Sequence, residues 1–250
     1  MASDTEPAVR VGTAGWSLPR AVQEQFPGEG PHLARYARVF PAAEINSSFH
    51  RPHKPSVYAR WATATPESFR FAAKIPKTIT HVAKLGQAAA LLDAFLAEAT
   101  TLGRKLDCLL VQLAPSLQFD EPVARDFLAA LRERWAGDVV LEPRHATWFT
   151  AQADTLLVER RVGRVAADPV RAPGGELPAG WPGIAYYRLH GSPRTYYSSY
   201  DTEYLVSLAE QLRVHAREGR RVWCIFDNTA SGAAAGNALH LMRLLDGGRG

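Results

Sequence analysis

At 250 residues, 46% hydrophobic and 22% charged, the chain has the length of one large domain and an ordinary soluble composition, which excludes collagenous, disordered and disulfide-stapled classes. Its two cysteines, Cys108 and Cys224, lie in the apolar runs LDCLLVQL and VWCIFD and read as small buried hydrophobes of a reducing compartment. No CxxC pair argues for zinc or redox work. The formal charge of +4 is compatible with an anionic ligand but serves solubility equally well.

The start, MASDTEPAV, is polar and acidic, without the basic and apolar stretches of a signal peptide, and no apolar run nears the ~20 residues of a membrane helix. A cytoplasmic protein with no membrane partner is therefore expected. In chain order, β-rich runs cover Val9–Trp16, Ala42–Phe49, Arg70–Ile75, Leu106–Leu113, Asp138–Glu142, Gly163–Asp168, Ile184–His190 and Arg221–Asp227. Helical patterns cover Gln87–Leu102, Pro122–Trp135, Thr147–Arg160 and Thr202–Glu218, with apolar residues three and four apart, as at Leu91, Leu92, Phe95, Leu96 and Ala99. Asp120-Glu121-Pro122 gives a cap, an acidic first turn and an early proline, a good helix start.

Eight strands alternating with helices imply parallel pairing, because crossover helices are what join parallel neighbours. The α/β pattern predicts a single (β/α)8 TIM barrel over 1–250, with the ends, about 1–8 and 247–250, frayed. No GxGxxG follows the first strand to favour a doubly wound sheet. Four prolines after Asp168 forbid a regular helix there, so that connection is expected to be mostly loop.

In a barrel, the carboxyl ends of the strands carry the chemistry. Here they are polar: Gly12-Thr13-Ala14-Gly15-Trp16; then Glu44, Asn46 and Ser48 at every second position; Lys74; Gln112; Glu142 followed by Arg144 and His145; Asp168; Arg188 and His190; and Asp227-Asn228. Period two puts Glu142 with Arg144, and Arg188 with His190, on a face opposite to Leu141 and Leu189. Charges facing a lumen are costly unless paired or used, so the set reads as a ligand site, with the ion pairs Glu44–Lys74 and Glu142–Arg144 as the structural alternative.

The segments VGTAGWS, AEINSSFHRP, FRFAAKIPKTITH, LLVQLAPS, LEPRHATWF, VAADP, YYRLHGSP and FDNTASGAAAGNA, in this order and spacing, resemble the YecE-like family, domain of unknown function 72. The resemblance spans nearly the whole chain. It implies a TIM barrel and carries over no catalytic residues, because the family's activity is not established.

The residues themselves suggest three chemistries. Lys74, Arg144 and Arg188 suit a carboxylate or phosphate, and the small-residue loop Thr229–Asn237 is a candidate phosphate cradle at the start of the last helix. Glu142, Asp168 and His190 are candidates for proton transfer, with Glu44, Asn46, Asp227, Asn228 and Trp16 orienting the substrate, and Trp16 and Trp148 lining the pocket while Trp61 and Trp223 join the core. A metal centre drawing on His50, His53, His81, His145 and His190 would be opposed by the neighbouring arginines, so no metal or cofactor is expected and a metal-dependent hydrolase stays an alternative. Lys74 as an imine-forming lysine needs a depressed pKa, which Glu44 beside it would oppose. The reading is a metal-independent enzyme for a small anionic or phosphorylated substrate. Its rival is a nucleic-acid-binding protein using Phe49–Lys54 and the loop Arg194, Tyr196, Tyr197 and Tyr200.

Overall fold

Short runs rich in Val, Leu, Ile, Ala and Phe favour extended backbone, and in the computed structural model, which describes residues 8–247, they form ten strands. These are β1 (Val9–Thr13), β2 (Ala42–Ile45), β3 (Arg70–Lys74), β4 (Leu106–Gln112), β5 (Asp138–Glu142), β6 (Gly163–Arg164), β7 (Ala166–Asp168), β8 (Ala179–Gly180), β9 (Ile184–Leu189) and β10 (Arg221–Phe226). The helices are α1 (His32–Tyr36), α2 (Pro55–Thr63), α3 (Ala89–Ala99), α4 (Glu121–Arg134), α5 (Ala151–Glu159), α6 (Thr202–Arg217) and α7 (Ala233–Gly247). The frayed ends expected at 1–7 and 248–250 lie outside the described residues, and Gly247 closes α7. Among the described residues no helix is long and apolar enough to cross a membrane.

The fold is mixed α/β, and its strands pair as two sheets. One has the order β1-β10-β9-β7 and the other β2-β3-β4-β5-β6-β8. Every pairing is parallel except β6 with β8, a short antiparallel ladder that the sequence did not signal. The expected alternation of strand and helix therefore holds, but the hydrogen-bonded ladder does not close into one barrel. Among the described residues, strand pairing across the first gap is the isolated bridge between Ala14 and Glu44. At the second gap the expected strand Gly163–Asp168 breaks at Val165 into β6, which pairs with β5, and β7, which pairs with β9. The run after Asp168 contains no helix before β9, as its prolines require.

Two apolar clusters hold these layers. The larger joins the outward side chains of the strands (Val11, Ala43, Phe71, Leu109, Leu141, Leu189 and Phe226) to the helices. The smaller is made of strand residues from both sheets, among them Ala42, Leu110, Val140, Val165, Tyr186, Trp223 and Ile225. Cys108 belongs to the small cluster and Cys224 to the large one, both free and buried. Caps match the sequence: the Asp120 carboxylate accepts from Val123 N–H at 3.2 Å and starts α4.

β1 and β2 approach closely at Gly12. A Cβ there would lie 2.2 Å from the Ala42 carbonyl oxygen, which already accepts from the Tyr36 hydroxyl at 3.0 Å; that hydroxyl in turn accepts from Thr13 N–H at 2.8 Å. Gly12→Ala should therefore destabilise the protein by about 1–3 kcal/mol in urea unfolding, since backbone on both sides must shift. An unchanged midpoint would show that the two strands can part without cost.

Candidate functional site

Arg188 occupies the middle of the site with no exposed surface. Its guanidinium donates to both oxygens of Glu44 (Nε to Oε2, 2.9 Å; Nη2 to Oε1, 2.6 Å), to Glu142 Oε2 (2.7 Å) and to Asp227 Oδ2 (3.0 Å). Glu44 lies next to the end of β2 and Glu142 ends β5 in one sheet; Arg188 lies in β9, and Asp227 follows β10, in the other. One cation therefore bridges the two sheets. Tyr186 donates to Glu44 Oε2 at 3.0 Å and Gln112 Nε2 to Glu142 Oε2 at 3.0 Å, so these two carboxylate oxygens each accept a second bond. Burial alone would discharge these groups. Instead Glu44, Glu142 and Asp227 hold Arg188 protonated, while Arg188, Arg144 and His190 hold the Glu142 carboxyl well below the usual range.

His190, fully buried, sits against this network. Its Nε2 lies 2.9 Å from Glu142 Oε1 and 3.1 Å from Arg144 Nη2, and its Nδ1 lies 3.0 Å from Asp227 Oδ2 but outside hydrogen-bond alignment. Arg144 pairs with Glu142 Oε1 at 2.7 Å, with its Nε buried and unpartnered. Lys74, 5% exposed, places Nζ 3.9 Å from the centre of the Phe49 ring, and this amine makes no hydrogen bond or ion pair among the described residues. Glu142–Arg144 is thus a real pair, whereas Glu44 is taken by Arg188 and not by Lys74. Burial, then the charge of Arg188, pushes the Lys74 ammonium down to about 8, against the pull of Glu44, Glu142 and Asp227.

With this geometry in view, the comparisons are decisive for family. The model of the family described as "Protein of unknown function DUF72" matches residues 10–249. The chain belongs to the DUF72 family. It is 32% identical over 172 residues to the UPF0759 protein YecE of Escherichia coli strain K12, covering 66% of this chain and 61% of that one. The protein of the same name from E. coli O157:H7 is 31% identical over the same length. The match thus spans about 61% of the length of these curated relatives. Two solved DUF72 proteins are similar in fold: one from Enterococcus faecalis V583, with TM-score 0.79, 22% identity and 95% of each chain covered, and one from Thermotoga maritima MSB8, with TM-score 0.78, 25% identity, 95% of this chain and 99% of that one.

Other residues nominated from the DUF72 sequence are placed differently. Register pairs Ala167 with Arg188 and Asp168 with Leu189, so Asp168 shares the helix-facing side. Its carboxylate accepts from the Tyr200 hydroxyl at 2.7 Å and lies in a separate cavity of about 200 Å³ with Glu176, Tyr204 and Gln211. The expected strand through Phe49 stops at Ile45. Asn46 then opens a 3-10 turn and lines a cleft of about 320 Å³ with Trp16, Gly15 and His32, while the Ser48 hydroxyl donates to the carbonyl oxygens of Ile45 and Lys74. Asn228 donates to Ser198 O and Asn237 Oδ1, both at 2.9 Å. The candidate phosphate cradle is occupied by its own neighbours: the Ala230, Gly232 and Ala234 N–H groups donate to Tyr196, Thr229 and Asn228 carbonyls. Trp148 is core, its indole donating to Leu117 O. His53, His81 and His145 bond to Ser47, Thr80 and Thr147 and do not converge.

Gln112, one of the polar strand ends picked out in the sequence, completes the site together with Phe49 and Tyr186, which were not expected there. Tyr186 was legible, since it stands two residues before Arg188 on the same face.

Arg188→Met should cost about 3–5 kcal/mol at neutral pH, because three buried carboxylates lose their shared cation. In the wild type, the folded pKa values of Glu142 and Asp227 lie below the ordinary 4.5 and 3.8, so their contribution is complete above those values and is lost as pH falls through the depressed ones. The gap between wild type and variant should accordingly narrow below about pH 4 in urea titrations. A variant as stable as wild type at neutral pH would remove Arg188 from its central place.

Proposed function

We propose that this DUF72 protein is an enzyme acting by acid/base chemistry on a small anionic polar substrate at the carboxyl ends of its parallel strands. The observation that carries this reading is that Arg144 and Lys74, two buried cations beside the Arg188 network, are left with unused donors. Arg144 Nε is buried without a hydrogen bond, as are Asn46 Oδ1 and Asn228 Oδ1 at other strand ends, and the buried Lys74 Nζ has neither a hydrogen bond nor an ion pair. Buried polar groups are nearly always satisfied, so such a set is the complement of a polar ligand. In this reading Arg144 holds the anion with Lys74 against the rest of the substrate, His190 carries the proton, and Glu142, too acidic to be a base near neutrality, fixes His190 and Arg144. Glu44 and Asp227 hold Arg188 in place, and Asp168 has no part.

The same reading treats the two sheets as one (β/α)8 unit. The Ala14–Glu44 bridge, the unbroken chain through Val165, the inner cluster drawn from both sheets and the Glu44–Arg188 pair all support it. The cytoplasm remains the proposed location, in keeping with two free buried cysteines. Nucleic-acid binding is the second reading, favoured by exposed Tyr197 with Arg194 stacked at 3.9 Å. Against it, Tyr196 of the same loop lies edge-on to His190, its ring centre 5.8 Å away, where it walls the site.

Thermal unfolding with phosphate, pyruvate and a short RNA at fixed ionic strength separates the two. An anion at ~100 times its dissociation constant should add about 2.7 kcal/mol, and Arg144→Gln should abolish the gain. A salt-sensitive response to RNA alone, with no anion effect, would transfer the protein to the second reading.

A further inference from the structure

Lys74 is chemically unlike every other lysine in the chain. There are five lysines against 24 arginines. Lys54, Lys77 and Lys84 are exposed, and Lys105 Nζ donates to the Ala62 and Thr65 carbonyls at 2.6 Å each. Lys74 alone is buried with its amine unbonded, over the face of Phe49, at the end of β3. The three carboxylates that could anchor it as a fixed ammonium are all committed to Arg188. His81, also edge-on to Phe49 at 5.0 Å, has its pKa lowered by burial and then by the charges of Lys74, Arg144 and Lys77, so this end of the site is rich in cations.

We infer that Lys74 is a covalent catalyst, forming an imine with a small aldehyde or ketone that carries an anionic group. This deepens the reading above and rests on it, since Arg144 would hold the anionic group while the carbonyl faces Nζ. The neutral amine's lone pair adds to the carbonyl carbon, and the C=O π pair moves to oxygen, which takes the proton released from nitrogen. His190 then protonates the hydroxyl, water leaves, and the nitrogen pair closes the C=N bond. One water is released for each imine formed, and no oxidant or reductant is consumed. Burial, and then the charge of Arg188, keep a fraction of the amine unprotonated near neutral pH. The charges of Glu44, Glu142 and Asp227 accept the cationic imine that follows.

The test uses the intact chain, treated with formaldehyde and cyanoborohydride near pH 8, with the lysines ranked by peptide mass mapping. The expected result is methylation of Lys74 ahead of Lys54, Lys77 and Lys84, suppressed by prior pyruvate or dihydroxyacetone phosphate. Borohydride should then fix the protecting carbonyl compound on the Lys74 peptide, and Lys74→Arg should lose the adduct. Lys74 inert, or labelled no faster than the exposed lysines, overturns the inference; so does rapid labelling that neither compound suppresses. Because the labelling is read on wild type, it does not depend on the variant folding. Inert Lys74 with an Arg144-dependent phosphate shift sinks the imine alone, whereas no phosphate shift sinks the anion reading itself.

Discussion

A single buried guanidinium organises this structure. Arg188 reaches both oxygens of Glu44, one of Glu142 and one of Asp227, and so ties together two sheets that, among the described residues, are joined in the ladder by the Ala14–Glu44 bridge and along the chain through Val165. Arginine suits the place because its planar fork satisfies several carboxylate oxygens at once and stays charged when buried. Lysine in its position would offer one point charge and leave carboxylate lone pairs empty. Because breaking such a buried network is costly, Arg188, Glu44 and Glu142 are first of all a scaffold, and chemistry falls to the groups around them that the scaffold leaves unsatisfied.

That division separates what was legible in the sequence from what was not. Strand-end polarity in period two placed Glu44, Lys74, Glu142, Arg188, His190 and Asp227 in one site, and all six are brought together or act on one another electrostatically. Partner choice was not legible. Glu44 is nearer to Lys74 in the chain, but side-chain reach across the site gave it to Arg188, and this leaves Lys74 unpaired. Asp168 failed for a different reason. The run VAAD is small and apolar on both faces, so it carries no alternation to say which side points inward, and the break at Val165 sets a register in which Asp168 follows Leu189.

The loops show the same limit. Thr229–Asn237 has the small residues of an anion cradle, yet the Gly232 and Ala234 N–H groups close local turns, while Ala230 N–H and the Ser231 hydroxyl donate to the Tyr196 and Tyr197 carbonyls, partners remote in sequence. The prolines after Asp168 announced an irregular connection correctly, but nothing in them foretold the antiparallel β8 pairing with β6. Two-residue strands owe their existence to what they meet, not to their own propensity.

The central claim, that the Arg188 network leaves Lys74 as a buried unpaired amine, is tested most directly by titrating the protein with 13C-labelled lysine by NMR, the Lys74 signal assigned by Lys74→Arg. The account predicts a midpoint for Lys74 near 8, brought down by burial and by Arg188. A midpoint at or above the ordinary 10.5 would mean that Lys74 is held as an ammonium by Glu44, Glu142 or Asp227, and the division between scaffold and chemistry drawn here would be wrong.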